Sequence, residues 1–97
     1  MSFVFFREKG KKKGDKGIAR QTTSAIFNYQ VLNGTVKFSG SNVFNADLEN
    51  PKHWVEIVTV DENGDTEPYR QHAWDKICYE VMRGENVEIY ASSGVAG

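Results

Sequence analysis

The sequence predicts an α+β domain, with an antiparallel or mixed sheet of about five strands and one amphipathic helix packed on one face. Three observations support this prediction. Several short segments alternate apolar and polar residues, an Asn-Gly dipeptide separates two of them, and one later segment repeats apolar residues at helical spacing. The chain has 97 residues, of which 39% are hydrophobic and 26% charged, which is typical of one folded domain. We therefore expect residues 1–97 to form a single domain.

The first element is a short aromatic strand, Ser2–Arg7, with apolar residues on both of its faces. A basic segment, residues 9–17, follows it. From Gly10 to Gly17 this segment contains three glycines and no apolar side chain that a core would hold. Its lysines also repel one another, so the pattern predicts a mobile basic loop.

The segment Thr23–Asn42 predicts a β-hairpin closed by Asn33-Gly34, because a type I′ turn needs positive φ at both central residues. In that register one face carries Phe27, Tyr29, Val31, Val36 and Phe38. A slip of one residue would expose this whole set, so the pattern and the turn favour the same register. The other face carries Asn28, Gln30, Lys37 and Ser39. That flat polar face suits solvent or a partner better than a deep substrate pocket.

Three further elements complete the predicted fold. Residues His53–Val60 alternate as a strand, and Pro68–Arg83 is the predicted helix, with Gly84 suited to its C-terminal cap. The apolar stripe of this helix comprises Tyr69, Ala73, Trp74, Ile77, Cys78, Val81 and Met82. Asn86–Ala91 is the last predicted strand, and the small, polar residues 92–97 predict a frayed tail. Its inward residues are Val87, Ile89 and Ala91.

The formal net charge of −1 conceals a strong asymmetry along the chain. Residues 1–20 carry seven basic and two acidic side chains, a net charge of +5. Residues 21–97 carry five basic and eleven acidic side chains, a net charge of −6. This distribution indicates a basic arm on an acidic body.

The basic arm predicts a non-catalytic module that contacts nucleic acid. Lysines attract phosphates as point charges, glycines let the loop follow a phosphate backbone, and counterion release supplies the affinity. The predicted contact residues are Arg7, Lys9, Lys11, Lys12, Lys13, Lys16, Arg20 and Lys37. An exposed Tyr90, Tyr79 or Trp54 would add the stacking surface that single-stranded nucleic acid requires.

The same residues also fit other functions. The basic loop could serve only solubility, or it could bind an acidic protein, and the acidic body leaves one side at most for phosphates. The chain could instead be a protein-interaction or inhibitor protein, of a small phage or accessory type, that uses a sheet edge or its acidic face. An uncovered edge or face could also pair with a second copy to form a homodimer.

The sequence predicts no catalysis, cofactor or metal. Cys78 lies on the predicted apolar stripe, which is more typical of a small core residue than of a nucleophile. One cysteine and two histidines fall short of a tetrahedral zinc site. The segment from Asp61 to His72 departs from the EF-hand pattern at its sixth and twelfth positions. The lone cysteine, with no apolar run of membrane or signal-peptide type, predicts an intracellular, cytoplasmic protein without membrane contact.

Overall fold

The computed structural model of the protein describes residues 2–20, 25–61, 71–72 and 74–94. These residues form six strands, all paired antiparallel, and one short 3-10 turn at Pro51–His53. The strands are β1 (Ser2–Lys11), β2 (Lys16–Arg20), β3 (Ala25–Ser41), β4 (Val55–Val60), β5 (Gln71–His72) and β6 (Lys76–Gly94). The described residues contain no α-helix, so the α+β prediction is wrong and the described fold is all-β.

Two long strands, β3 and β6, organise the sheet. They pair along almost their whole length, from Ile26 opposite Gly94 to Ser41 opposite Lys76. Each half of this pair has its own flanking strands. Layer 1 has the order β1-β6-β3-β5 and contains the first half of β3 with the second half of β6. Layer 2 has the order β2-β6-β3-β4 and contains the second half of β3 with the first half of β6.

Both long strands bend at a corner formed by Asn33, Gly34, Gly84 and Asn86. The φ angles there are 69° at Asn33, 54° at Asn86 and 116° at Gly84, and the β3–β6 register shifts at the same place. Such bulges bend a strand and let it pass from one packed layer to the next. Gly34 lies opposite Gly84, and a Cβ on either residue would overlap backbone atoms of the facing strand. The corner therefore requires both glycines.

The bend brings the two layers together around one apolar core. A straight strand would hold Tyr29 and Phe38 about 30 Å apart, yet their ring centroids are 4.5 Å apart. Phe6 on β1 likewise lies edge-on to Tyr79 on the first half of β6, with centroids 4.9 Å apart. The core consists of Phe6, Tyr29, Val31, Val36, Phe38, Val60, Ile77, Tyr79, Val81, Val87, Ile89 and Ala91.

The predicted helix over Pro68–Arg83 is wrong where the structure describes it, because residues 76–83 form the first half of β6. Ile77, Tyr79 and Val81 alternate inward with the period of a strand and are all buried. Their β-branched and aromatic side chains favour a sheet, and β6 pairs there with both β2 and β3. Residues 68–70 and 73 of the predicted helix lie outside the described residues.

The predicted hairpin over Thr23–Asn42 is also wrong, since β3 continues through Asn33-Gly34 without reversing. The predicted facing is confirmed for its described members Tyr29, Val31, Val36 and Phe38, which are fully buried. The side chain of Phe27 lies outside the described residues. Tyr29 does meet Phe38, as the hairpin predicts, but the contact crosses the core between the two layers.

The other predicted strands correspond to β1, β4 and the second half of β6. The inward positions of the last strand are confirmed, because Val87, Ile89 and Ala91 are buried. Within the predicted frayed tail, residues 92–94 pair with β1 and β3, and 95–97 lie outside the described residues. The predicted basic loop is shorter than expected, since 9–11 belong to β1 and 16–17 to β2. Its mobility stays a prediction.

Candidate nucleic-acid interface

The basic turn, Lys12–Asp15, joins β1 to β2 and is fixed against the corner of β6. The backbone N–H of Lys13 donates to the Gly84 carbonyl at 3.1 Å, and Val81 N–H donates to the Asp15 carbonyl at 2.9 Å. The backbone N–H of Lys12 also donates to Asp15 Oδ2 at 2.9 Å. These bonds hold the backbone of the turn in place while its lysine side chains extend into solvent.

Four of the predicted cations form one exposed strip along β1 and this turn. They are Arg7, Lys9, Lys12 and Lys13, and we call them the basic strip. Within the described part of the chain, Lys9, Lys12 and Lys13 form no ion pair, so their charges are available to a partner. The strip thus combines a positive charge with a fixed backbone.

Beside the strip, the outer face of layer 1 carries an aromatic ring between polar side chains. Arg7 lies opposite Tyr90 on β6, and Tyr90 lies opposite Gln30 on β3, which places the three in one row across the sheet. Asn28 and Gln30 are exposed, and the Tyr90 ring is half-buried. These side chains help to line a shallow cavity of about 170 Å³. The face therefore offers one ring for stacking and two amides for hydrogen bonds.

A carboxylate also borders this row. The Tyr90 hydroxyl donates to Glu88 Oε1 at 2.5 Å, and this hydrogen bond raises the pKa of Tyr90 above its ordinary value. The ring consequently stays neutral around physiological pH. The negative charge of Glu88 limits phosphate contact to the side of the row that faces Arg7 and the strip.

Two further predicted cations lie on the outer face of layer 2. Lys16 on β2 and Lys37 on β3 flank Glu80 on β6 in a single row. Lys37 Nζ lies 3.7 Å from the Glu80 carboxylate, and Lys16 Nζ lies 3.4 Å from that of Glu49. Carboxylates therefore balance both charges locally, which makes these two lysines weaker candidates for phosphate contact.

The remaining predicted residues have other surroundings. Lys11 is half-buried and hydrogen-bonds the Tyr79 side chain; burial raises the pKa of Tyr79, and this bond opposes the rise. Tyr79 is a core residue, so it is not the exposed stacking ring that the sequence suggested. Trp54 is half-buried, like Tyr90, but it lines a cavity with Lys37 and Glu80, whereas Tyr90 lies opposite Arg7 of the strip. Arg20 ends β2 opposite Lys76, and its side chain lies outside the described residues.

Cys78 lies on the outer face of layer 2 and is only 7% exposed. Burial is the main cause that raises the pKa of its thiol from 9.0 to about 11. A nucleophile or metal ligand needs the thiolate, which is scarce here at neutral pH. Among the described residues, no group of three or more His, Cys, Asp or Glu side chains is placed to hold a metal ion. No helix in the described ranges is long and apolar enough to span a membrane.

We expect native Cys78 to react with iodoacetamide at pH 8 about a hundredfold more slowly than the unfolded chain. The rise in pKa from 9.0 to about 11 lowers the thiolate fraction by that factor. Mass spectrometry over a time course, with a denatured control, measures both rates. Equal native and denatured rates would contradict the burial of this thiol. Because the unfolded thiol ionises first, the same shift lowers the free energy of unfolding between about pH 9 and 11.

No protein-family model, curated protein or solved structure matches this chain.

Proposed function

We propose that this protein is a small, non-catalytic module that binds single-stranded nucleic acid. The contacts are the basic strip and the adjoining row formed by Arg7, Tyr90 and Gln30. One observation carries the proposal. Lys9 on β1 and Lys12 and Lys13 on the fixed turn are exposed and form no ion pair among the described residues, and Arg7, also on β1, lies opposite the half-buried ring of Tyr90. This is the combination of cations and stacking surface that single-strand binders use.

The proposed contacts are of two kinds, electrostatic contacts with phosphates and stacking with a base. The lysines of the strip neutralise phosphates and release counterions, which gives a salt slope of about 0.7 per phosphate on a single strand. A base that stacks on Tyr90 contributes about 1–3 kcal/mol. Arg7, in the same row, meets the neighbouring phosphate, and Gln30 and Asn28 offer amide groups to the edge of the base. A duplex would keep its bases away from this half-buried ring, so a single strand is the favoured ligand.

The test is fluorescence anisotropy with labelled single- and double-stranded DNA and RNA, over a salt series. We expect the double variant Lys12→Ser, Lys13→Ser to lose about 1.4 from the single-strand salt slope, the value for two phosphate contacts. Its affinity at about 0.1 M salt should fall more than tenfold for the same reason. Tyr90→Leu should weaken single-strand binding about tenfold without changing the slope, because stacking carries no charge.

A charge-matched control separates the strip from the overall charge. The variant Lys37→Ser, Lys52→Ser removes two positive charges elsewhere, and we expect its affinity to stay within about twofold of the native value. The proposal fails if the native chain binds no oligonucleotide at low salt. It also fails if this control loses as much affinity as the Lys12→Ser, Lys13→Ser variant, because binding would then depend on net charge alone.

A protein-interaction role is the second candidate, and an open sheet edge favours it. In the described part of the chain, β4 pairs only with β3, and Val55 at its start is 54% exposed. Glu56 and Asp61 give this edge an acidic character, and exposed edges accept a strand from another chain. Light scattering that shows a homodimer, and a monomer after Val55→Lys, would favour this role. A monomer that binds oligonucleotides would favour the first.

A further inference from the structure

A strap, residues 42–54 between β3 and β4, crosses the outer face of layer 2. Lys76 Nζ donates to the Val43 carbonyl at 3.0 Å and to the Phe44 carbonyl at 3.1 Å. Lys16 Nζ donates to the Leu48 carbonyl at 3.4 Å. These lysines lie near the start of β6 and of β2, so the strap is attached to the sheet at two separate points.

The far end of the strap is held by its own side chains. Trp54 Nε1 donates to the Asp47 carbonyl at 2.9 Å, and the Asp47 backbone N–H donates to His53 Nδ1 at 3.0 Å. Asn50 Oδ1 accepts from the backbone N–H of Lys52 at 3.0 Å and begins the short 3-10 turn. The Trp54 ring is thereby set in a fixed position at the edge of the sheet.

A cavity of about 340 Å³ lies between the strap and the sheet. Leu48, Pro51 and Trp54 form its apolar wall, and Ser39 and Cys78 contribute to its floor. Its volume lies within the range of small-molecule sites, about 300–1,000 Å³. Because the wall is attached to the sheet independently of any ligand, the cavity is already formed in the free protein.

The cavity carries charges of both signs. Its charged side chains are Lys16, Lys37, Glu49, Glu56 and Glu80. The two ion pairs are long, at 3.7 Å between Lys37 and Glu80 and 3.4 Å between Lys16 and Glu49. An ammonium group has three N–H donors and a carboxylate has two acceptor oxygens, so each pair leaves bonding capacity for a ligand. An anion would be repelled by three carboxylates and a cation by two ammonium groups, whereas a ligand with both charges satisfies both sets.

We propose that this cavity binds a small zwitterion that has an apolar or aromatic body, the chemistry of a free α-amino acid. Lys37 and Glu80 are paired neighbours on β3 and β6, and their charged atoms lie 3.7 Å apart, so the adjacent carboxylate and ammonium of one α-amino acid can reach both. The body of the ligand packs against Trp54 and the apolar wall. This site is separate from the basic strip, and the proposal does not depend on nucleic-acid binding.

Three probes that share a phenyl ring test the charge requirement. They are L-phenylalanine, 3-phenylpropanoate, which lacks the ammonium, and phenethylamine, which lacks the carboxylate. Calorimetry and backbone amide NMR titrations with the full chain give affinities and locations. We expect L-phenylalanine to bind at least tenfold more tightly than either single-charge probe. We also expect it to shift the amide signals of Lys37, Ser39 and Glu80 and the indole signal of Trp54.

Variants then connect binding to the cavity. Lys37→Gln, Glu80→Gln and Trp54→Leu should each weaken L-phenylalanine at least tenfold, whereas Lys12→Ser with Lys13→Ser should leave it unchanged. The amide spectrum of each variant shows whether it folds. The proposal is overturned if none of the probes binds at millimolar concentration, or if a single-charge probe binds as tightly as the zwitterion. It is also overturned if a folded Lys37→Gln or Glu80→Gln variant keeps full affinity, whatever the outcome of the oligonucleotide test.

Discussion

Truncation of Phe38 to alanine is expected to lower the free energy of unfolding by about 4 kcal/mol. Phe38 is fully buried, and its ring centroid lies 4.5 Å from that of Tyr29 and 6.4 Å from that of Phe6. It therefore joins layer 2 to layer 1 across the core. Because the pairing of β3 with β6 holds both layers in place, the cavity left by the ring closes poorly. Chemical denaturation measures the loss.

The matched control is the same substitution at Phe44, which is 87% exposed on the strap. Phe44→Ala should change the free energy of unfolding by less than about 0.5 kcal/mol, as exposed substitutions usually do. Similar losses for the two variants would mean that the ring of Phe38 is not enclosed between the layers.

Replacement of Gly84 with alanine should cost about 3 kcal/mol and lower Tm by about 15 °C. Its φ of 116° is strained for an L-residue. A Cβ there would also lie 2.9 Å from Gly34 Cα and 2.9 Å from Val87 Cγ2, and it would overlap the Asn33 carbonyl. β3 and β6 approach each other too closely here to admit a side chain at position 84. Thermal unfolding followed by circular dichroism measures the change.

Gly14→Ala separates strain from contact. Gly14 has a similarly positive φ of 94°, but a Cβ there has no neighbour within 4 Å. Only backbone strain of about 1–2 kcal/mol is then expected. If Gly84→Ala were no more destabilising than Gly14→Ala, the close approach of β3 and β6 at the corner would be wrong.

The faces of the strands were predictable from alternation, but the helix prediction failed for a physical reason. In β6, Ile77 and Tyr79 face the core while Cys78 is buried on the opposite face, which borders the cavity under the strap. A strand covered on both faces loses its alternation and reads as a continuous apolar run. Residues at positions 77, 78 and 81 then also fit a helical stripe, and no local signal reveals the strap.

The Asn33-Gly34 prediction failed differently. The predicted positive φ is confirmed at Asn33, whose φ is 69°, and is wrong at Gly34, whose φ is not positive. A bulge uses the same conformation as a hairpin turn, and the sequence near the dipeptide does not distinguish them. The strand that decides the outcome is β6, where the partner of Gly34 is Gly84, fifty residues later.

The candidate sites were predictable only as a distribution of charge. The basic segment is evident from composition, but the carboxylates that balance the charges of Lys16 and Lys37 belong to Glu49 and Glu80, more than thirty residues away along the chain. The strap is equally hidden, because Lys76 binds backbone carbonyls that carry no residue signature. Long-range pairing therefore decides which lysines carry a charge that no nearby carboxylate balances.

Both proposed sites depend on the pairing of β3 with β6, and an NMR measurement of backbone NOEs tests it most directly. The structure predicts cross-strand NOEs between Gln30 and Tyr90 in layer 1 and between Phe38 and Tyr79 in layer 2. Such NOEs would establish the strand register that places Gln30 beside Tyr90 near the basic strip, and the register that forms the floor of the cavity. Sequential amide NOEs with helical i to i+3 contacts through residues 76–83, and no cross-strand NOEs, would contradict the fold and both sites.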